Sequence, residues 1–339
     1  GTDQTMEQRL SSYKGKNANG PSFKNTWRAV ARCGISVRIV ATTCFSGGFG
    51  EIAFRGGDAS NGAAEAPRCG LFASPWDLES SGCDPNPDRR LHHGYAAYFL
   101  PALRGRSRDG KRLPDGGVDY DGDGSISLLE AHTHVRIASP TADVPTTTSE
   151  RWLRAVAPLA GAVSPTDLPE DQAVIVALSL QLGISDPRNE AAARHKAAQA
   201  AVDAADIAVK ELQRVEDDAY FAVSAELLAR WPILDDPWHP LFAVMMRSQK
   251  AAIAAHVSES AAWQAWRRAT AATDAALDRR DVVRIRRAKF ERLQRAVKNV
   301  ELAGRLTAKG GADWLYWRQL LRCERFVPSL HRGTAASTR

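Results

Sequence analysis

Hydrophobic and polar positions change period along this chain, and the changes lay out its elements. Val37 to Ala41 is a short β-branched run and predicts a buried strand. It leads into Thr42-Thr43-Cys44-Phe45-Ser46-Gly47-Gly48, where two glycines allow a sharp turn. Arg68 to Ser74 predicts a second strand, and Glu51 to Phe54 a further short one. Tyr95, Phe99 and Leu103 recur at helical spacing between Gly94 and Gly105, and Leu128 to Ile137 predicts another helix. Ahead of the first strand, residues 22–34 predict a short helix with Trp27, Val30 and Ala31 on one face, preceded by a polar end at 1–25. Residues 139–149 carry proline and polar β-branched residues and read as a linker, with a domain boundary near residue 145.

Beyond Ser149 the pattern becomes helical. Helix starts are expected at Ser149-Glu150 and at residues 165–171, where caps precede early acids. An alanine-rich stretch from Pro187 to about Leu228 predicts one long helix, because alanine has the highest helix propensity. Pro232 and Asp235-Asp236-Pro237 end it. A second long helix is expected from about Pro240 to Ala303, broken near Asp274–Arg280. Together they predict an α-helical hairpin or bundle over 149–328 and a flexible tail at 329–339.

Composition narrows the class. With 339 residues the chain has room for two domains. A formal net charge of +6 permits an acidic partner without requiring nucleic acid, and no nucleic-acid motif accompanies it. The cationic run from Arg279 to Lys298 alternates with Val282, Ile285, Phe290 and Leu293, as a solvated face beside an apolar stripe would. The same run offers a docking face for an acidic partner. Trp263, Trp266, Trp314 and Trp317 recur at helical spacing as core or interface anchors. Five cysteines, an odd number without framework spacing, favour reduced thiols and the cytoplasm. No apolar run reaches membrane-spanning length.

Two stretches carry chemistry. Cys44, at the end of a strand, is a candidate nucleophile once its thiol is deprotonated; the plain alternative is a small buried hydrophobe. Asp119-Tyr120-Asp121-Gly122-Asp123-Gly124-Ser125-Ile126-Ser127-Leu128-Leu129-Glu130 matches an EF-hand loop. Calcium is a hard cation that takes six to eight oxygens. Asp119, Asp121 and Asp123 would give side-chain oxygens, Ser125 its carbonyl, Ser127 a direct or water-mediated contact, and Glu130 both carboxylate oxygens. The glycines and Pro114 in residues 106–118 leave no regular entering helix. The pair His92-His93 fits a surface helix start, and His132 and His134 are expected at the surface.

The order strand, Cys-Phe-Ser-Gly-Gly, second strand, aromatic helix over residues 30–140 resembles caspase-like cysteine peptidases, the group of caspases, metacaspases and legumains. The resemblance implies an α/β caspase-like sheet over residues 1–145, with a cysteine endopeptidase activity acting on protein substrates through Cys44. It implies a substrate pocket near Ser74, Trp76 and Asp77, an oxyanion held by backbone N–H groups that include that of Cys44, and calcium as a modulator at 119–130. Its catalytic histidine, in a His-Gly pair, precedes the cysteine, and no histidine precedes Cys44 here. The expected partner is therefore an N-terminal fragment of the same precursor carrying that histidine, this chain being the C-terminal part. Thr42 stands where metacaspases and legumains carry an acid of the P1 pocket, so a basic P1 preference is not implied. Two non-enzymatic readings stand beside this one: a calcium-binding helical adaptor, and a regulatory subunit that binds an acidic partner.

Overall fold

The computed structural model describes residues 36–81, 93–114 and 116–328. The expected helix at 22–34, the polar N-terminal stretch, His92 and the tail at 329–339 lie outside those residues.

The β-branched run forms β1 (Val37–Ala41), and the second apolar run forms β2 (Arg68–Phe72). They pair in parallel, Val37 opposite Arg68 and Ala41 opposite Phe72. β2 is buried at every residue, whereas β1 alternates between half-buried and exposed positions, so the buried strand expected at Val37–Ala41 is only partly covered. On its other side β2 pairs antiparallel with a two-residue strand, β3 (Thr146–Thr147). Among the described residues the sheet ends there.

The helices are α1 (Ala96–Ala102), α2 (Leu128–Ala138), α3 (Thr148–Val156), α4 (Pro169–Leu182), α5 (Pro187–Arg230), α6 (Phe242–Glu259), α7 (Ala261–Lys309) and α8 (Gly311–Glu324). Helices of 44 and 49 residues beside strands of five, five and two make the fold mostly helical. This corrects the expected α/β caspase-like sheet. The segment between the parallel strands runs through 3₁₀ turns, starting with Ser46–Ala53, where a helical crossover is usual. The expected strand at Glu51–Phe54 falls mostly inside that turn.

Two compact units emerge. The first holds the described residues up to His195 together with those from Ala288 onward. Its core joins Phe54, Trp152, Leu306, Tyr316, Trp317 and Leu320, while Leu71, Tyr95, Phe99, Leu129 and Val135 form a second cluster. A boundary near residue 145 would fall inside this unit. The expected linker at 139–149 is buried instead: Arg292, on α7 and itself 1% exposed, donates to the carbonyls of Arg136, Ser139, Thr141 and Asp143. One guanidinium so satisfies carbonyls that would be costly to bury unpaired. Arg292 therefore departs from the solvated face expected of the cationic run.

Cys69 on β2 and Cys323 on α8 form a disulfide across 254 residues, with Cα atoms 6.0 Å apart. This corrects the expectation of reduced thiols; tertiary packing, not sequence spacing, brings the two sulfurs together. His132 is also moved from the expected surface. It is fully buried, with Nδ1 2.7 Å from the Tyr95 hydroxyl, and burial drives its pKa down to about 3.

The second unit, residues 196–287, is built from the adjoining parts of α5 and α7 with α6 between them in sequence. Arg284 with Asp206 at 3.0 Å and Thr270 with Glu216 at 2.8 Å set α5 and α7 antiparallel. The second long helix breaks at Ser260, whose hydroxyl caps α7 by accepting from the Trp263 N–H, and runs unbroken through 274–280.

Candidate functional site

Cys44 follows the carboxyl end of β1 by three residues, half-buried. The chain then turns through Phe45, whose φ of 57° lies in the left-handed region that a phenylalanine rarely adopts. Contacts to the segment after β2 hold that turn. The Phe45 N–H donates to the Leu78 carbonyl at 2.9 Å and the Gly47 N–H to the Ser74 carbonyl at 2.7 Å. The Ser46 hydroxyl accepts from the Ser74 N–H at 3.3 Å. Gly47 is obligatory by contact: a Cβ there would lie 2.8 Å from Pro75 backbone atoms. The two ends of the parallel pair are thus laced together, and Cys44 sits in the lacing.

The sulfur faces Ser80. The Ser80 N–H lies 3.3 Å from Sγ and its hydroxyl 3.8 Å away, and that hydroxyl also reaches the Thr42 carbonyl at 3.4 Å. The thiol in turn faces the Ser80 carbonyl at 3.6 Å, so the sulfur is held between two backbone groups of one residue. Ser80 was not legible as a partner, since nothing in a Ser-Ser pair 36 residues on announces such a contact.

The expected pocket residues separate. Ser74 is sealed at 0% exposure and donates its hydroxyl to the Thr43 carbonyl, so it braces the turn and presents nothing to a ligand. Asp77 is exposed. Trp76 joins Gly47 and Pro75 on the wall of a cleft of about 650 Å³, whose opposite side comes from α3, α5 and α7. Ion pairs furnish that side: Arg154 and Arg295 both hold the buried Glu150, at 2.8 and 2.7 Å, and Lys298 holds Glu301 at 2.9 Å. Despite its burial, Glu150 is held far below the usual carboxylate range by Arg154, Arg295 and Arg136. Arg151 clamps Glu51 of the 3₁₀ turn at 2.7 Å and ties the Cys44 segment to α3.

Among the described histidines, His93 contacts Tyr98 and Arg108, His132 contacts Tyr95, and His256 contacts Glu226. His195 lies on the cleft wall with Nε2 3.8 Å from Glu291.

The acidic loop is the second candidate. Asp119, Asp121 and Asp123 bring one carboxylate oxygen each within 4.8 Å of one another. Asp119 accepts from the N–H groups of Gly122, Asp123 and Gly124, and Asp123 from that of Ser125. Ser127 and Glu130 do not join them. They form the capping box of α2, with the Glu130 N–H on Ser127 Oγ at 3.2 Å and the Ser127 N–H on Glu130 Oε2 at 2.8 Å. Glu130 Oε1 accepts from the Tyr120 N–H at 2.6 Å. Three clustered carboxylates suit a hard cation; Glu130 is already committed to backbone.

Compared with protein-family models, curated proteins and solved structures, the chain matches none.

Proposed function

We propose that this chain carries the nucleophile of a cysteine endopeptidase, with Cys44 as that nucleophile. The observation that carries the reading is the placement of its sulfur: half-buried at the carboxyl end of a parallel strand pair, under the Ser80 N–H, in a turn whose Gly47 also walls the cleft. In the reaction, Sγ attacks the peptide carbonyl carbon and its proton passes to an imidazole. The C–N bond breaks, the amine leaves with that proton, and water hydrolyses the thioester. The imidazole is proposed to come from a partner chain, as the resemblance implies. Trp76 provides an apolar wall for a substrate side chain, and the ion pairs of α3, α5 and α7 offer hydrogen-bonding groups to a polypeptide backbone. Cys44→Ala tests the reading: cleavage of unfolded protein substrates falls to background if it holds, and unchanged cleavage overturns it.

Calcium is proposed as a ligand of Asp119, Asp121 and Asp123, completed by water. No helix among the described residues is long and apolar enough to cross a membrane. The Cys69–Cys323 disulfide supports an oxidising compartment as the proposed place of action, beside the cytoplasm first expected.

A further inference from the structure

We propose that Asp143 is a positioning residue for Cys44, acting through the loop that carries Ser80. Two consecutive backbone donors leave this loop in fixed directions. The Ser80 N–H reaches Cys44 Sγ, and the Ser81 N–H reaches Asp143 Oδ1. Asp143 is 62 residues away in sequence and fully buried. Its other oxygen, Oδ2, has no hydrogen-bond partner among the described residues. A buried carboxylate with one oxygen unsatisfied depends on the donors it has. Releasing the Ser81 N–H would strip a buried acceptor, so the loop is held to it.

Asp143 is itself fixed. Its backbone carbonyl accepts from Arg292 Nε at 2.7 Å, and its own N–H donates to Thr141 Oγ1 at 3.3 Å. The charged and titratable groups around the carboxyl are Arg292 of α7 and the phenol of Tyr95, which is bonded in turn to His132 of α2. The guanidinium that binds the 136–143 segment therefore also anchors the carboxylate that aims the sulfur's donor. Asp143 touches no substrate in this account; it sets the direction of a peptide plane. The inference rests on Cys44 being the nucleophile, but its physical content is the reactivity of one sulfur.

The test measures alkylation of Cys44 by iodoacetamide at neutral pH in the full chain, read on the Cys44 peptide by mass spectrometry. Loss of the aimed N–H donor at sulfur predicts that Asp143→Ala slows alkylation about fivefold. Asp143→Asn keeps an oxygen acceptor for the Ser81 N–H and stays within about twofold of the wild type. Ser81→Pro removes the N–H, slows alkylation like Asp143→Ala, and adds nothing in the double variant. Wild-type rates in Asp143→Ala or Ser81→Pro, or effects of the two that multiply, would overturn the proposal. Should Asp143→Ala fail to fold, Ser81→Pro and Asp143→Asn decide the matter by the same rates. Retained cleavage in Cys44→Ala would defeat the peptidase reading alone, leaving the alkylation rates to judge the clamp.

Discussion

The Cys44 turn and the acidic loop are both short glycine-bearing segments, and they are held in opposite ways. Side-chain bonds within the acidic loop span two to ten residues. Those around Cys44 reach 28 residues to Ser74 and 36 to Ser80, and the Glu51–Arg151 clamp beside it reaches 100. A locally bonded loop keeps its shape whatever the rest of the chain does. The turn keeps its shape only while β2, α3 and the loop at 74–81 are in place. The shape of the turn is therefore a property of the whole first unit, whereas the carboxylate cluster of the acidic loop is set by near neighbours in sequence.

The largest effect separating the two is on activity. Cys44→Ala should reduce peptide cleavage by about a thousandfold or more, while terbium luminescence at the acidic loop stays as in the wild type. Next comes stability. Gly47→Ala puts a Cβ 2.8 Å from Pro75 backbone atoms and should lower unfolding free energy by about 1–3 kcal/mol. Gly122→Ala, at φ 76° with open space around it, should cost only about 1 kcal/mol. Urea midpoints of both variants check the contrast, and equal losses would break it.

A pH dependence should act on the Cys44 side. Glu324, buried where it accepts from the Ser149 N–H and hydroxyl of α3, is pushed up to about 8 by desolvation. The folded chain then holds this proton more tightly than the unfolded one, whose carboxyl titrates near 4.5. The contribution is complete below that value and is lost as pH rises through 8. Urea midpoints should fall from pH 5 to 9, with a flatter slope in Glu324→Gln. The smallest effect is Asp121→Asn, which should weaken terbium binding severalfold at the loop and leave Cys44 alkylation unchanged.

The same contrast decides what could be read from sequence. The acidic triad and the runs forming β1, β2 and α5 are local patterns, and local physics sets them. Ser80, Asp143, the Cys69–Cys323 disulfide and the burial of His132 depend on which distant segments meet, and no periodicity reports that. Glu130 shows the limit within a motif: its spacing suits a twelfth-position ligand, yet the N–H of the N-cap Ser127 takes one oxygen and the loop's own Tyr120 N–H the other. The expected sheet failed for a related reason. Strand-forming runs were recognised, but the area they cover is small beside two helices of more than forty residues.

Acid quenching during turnover of a protein substrate, followed by peptide mass mapping, addresses the nucleophile most directly. The account predicts an acyl adduct on the peptide containing Cys44, present in the wild type and missing in Cys44→Ala. Turnover that proceeds with no adduct on that peptide, or that continues undiminished in Cys44→Ala, would contradict it.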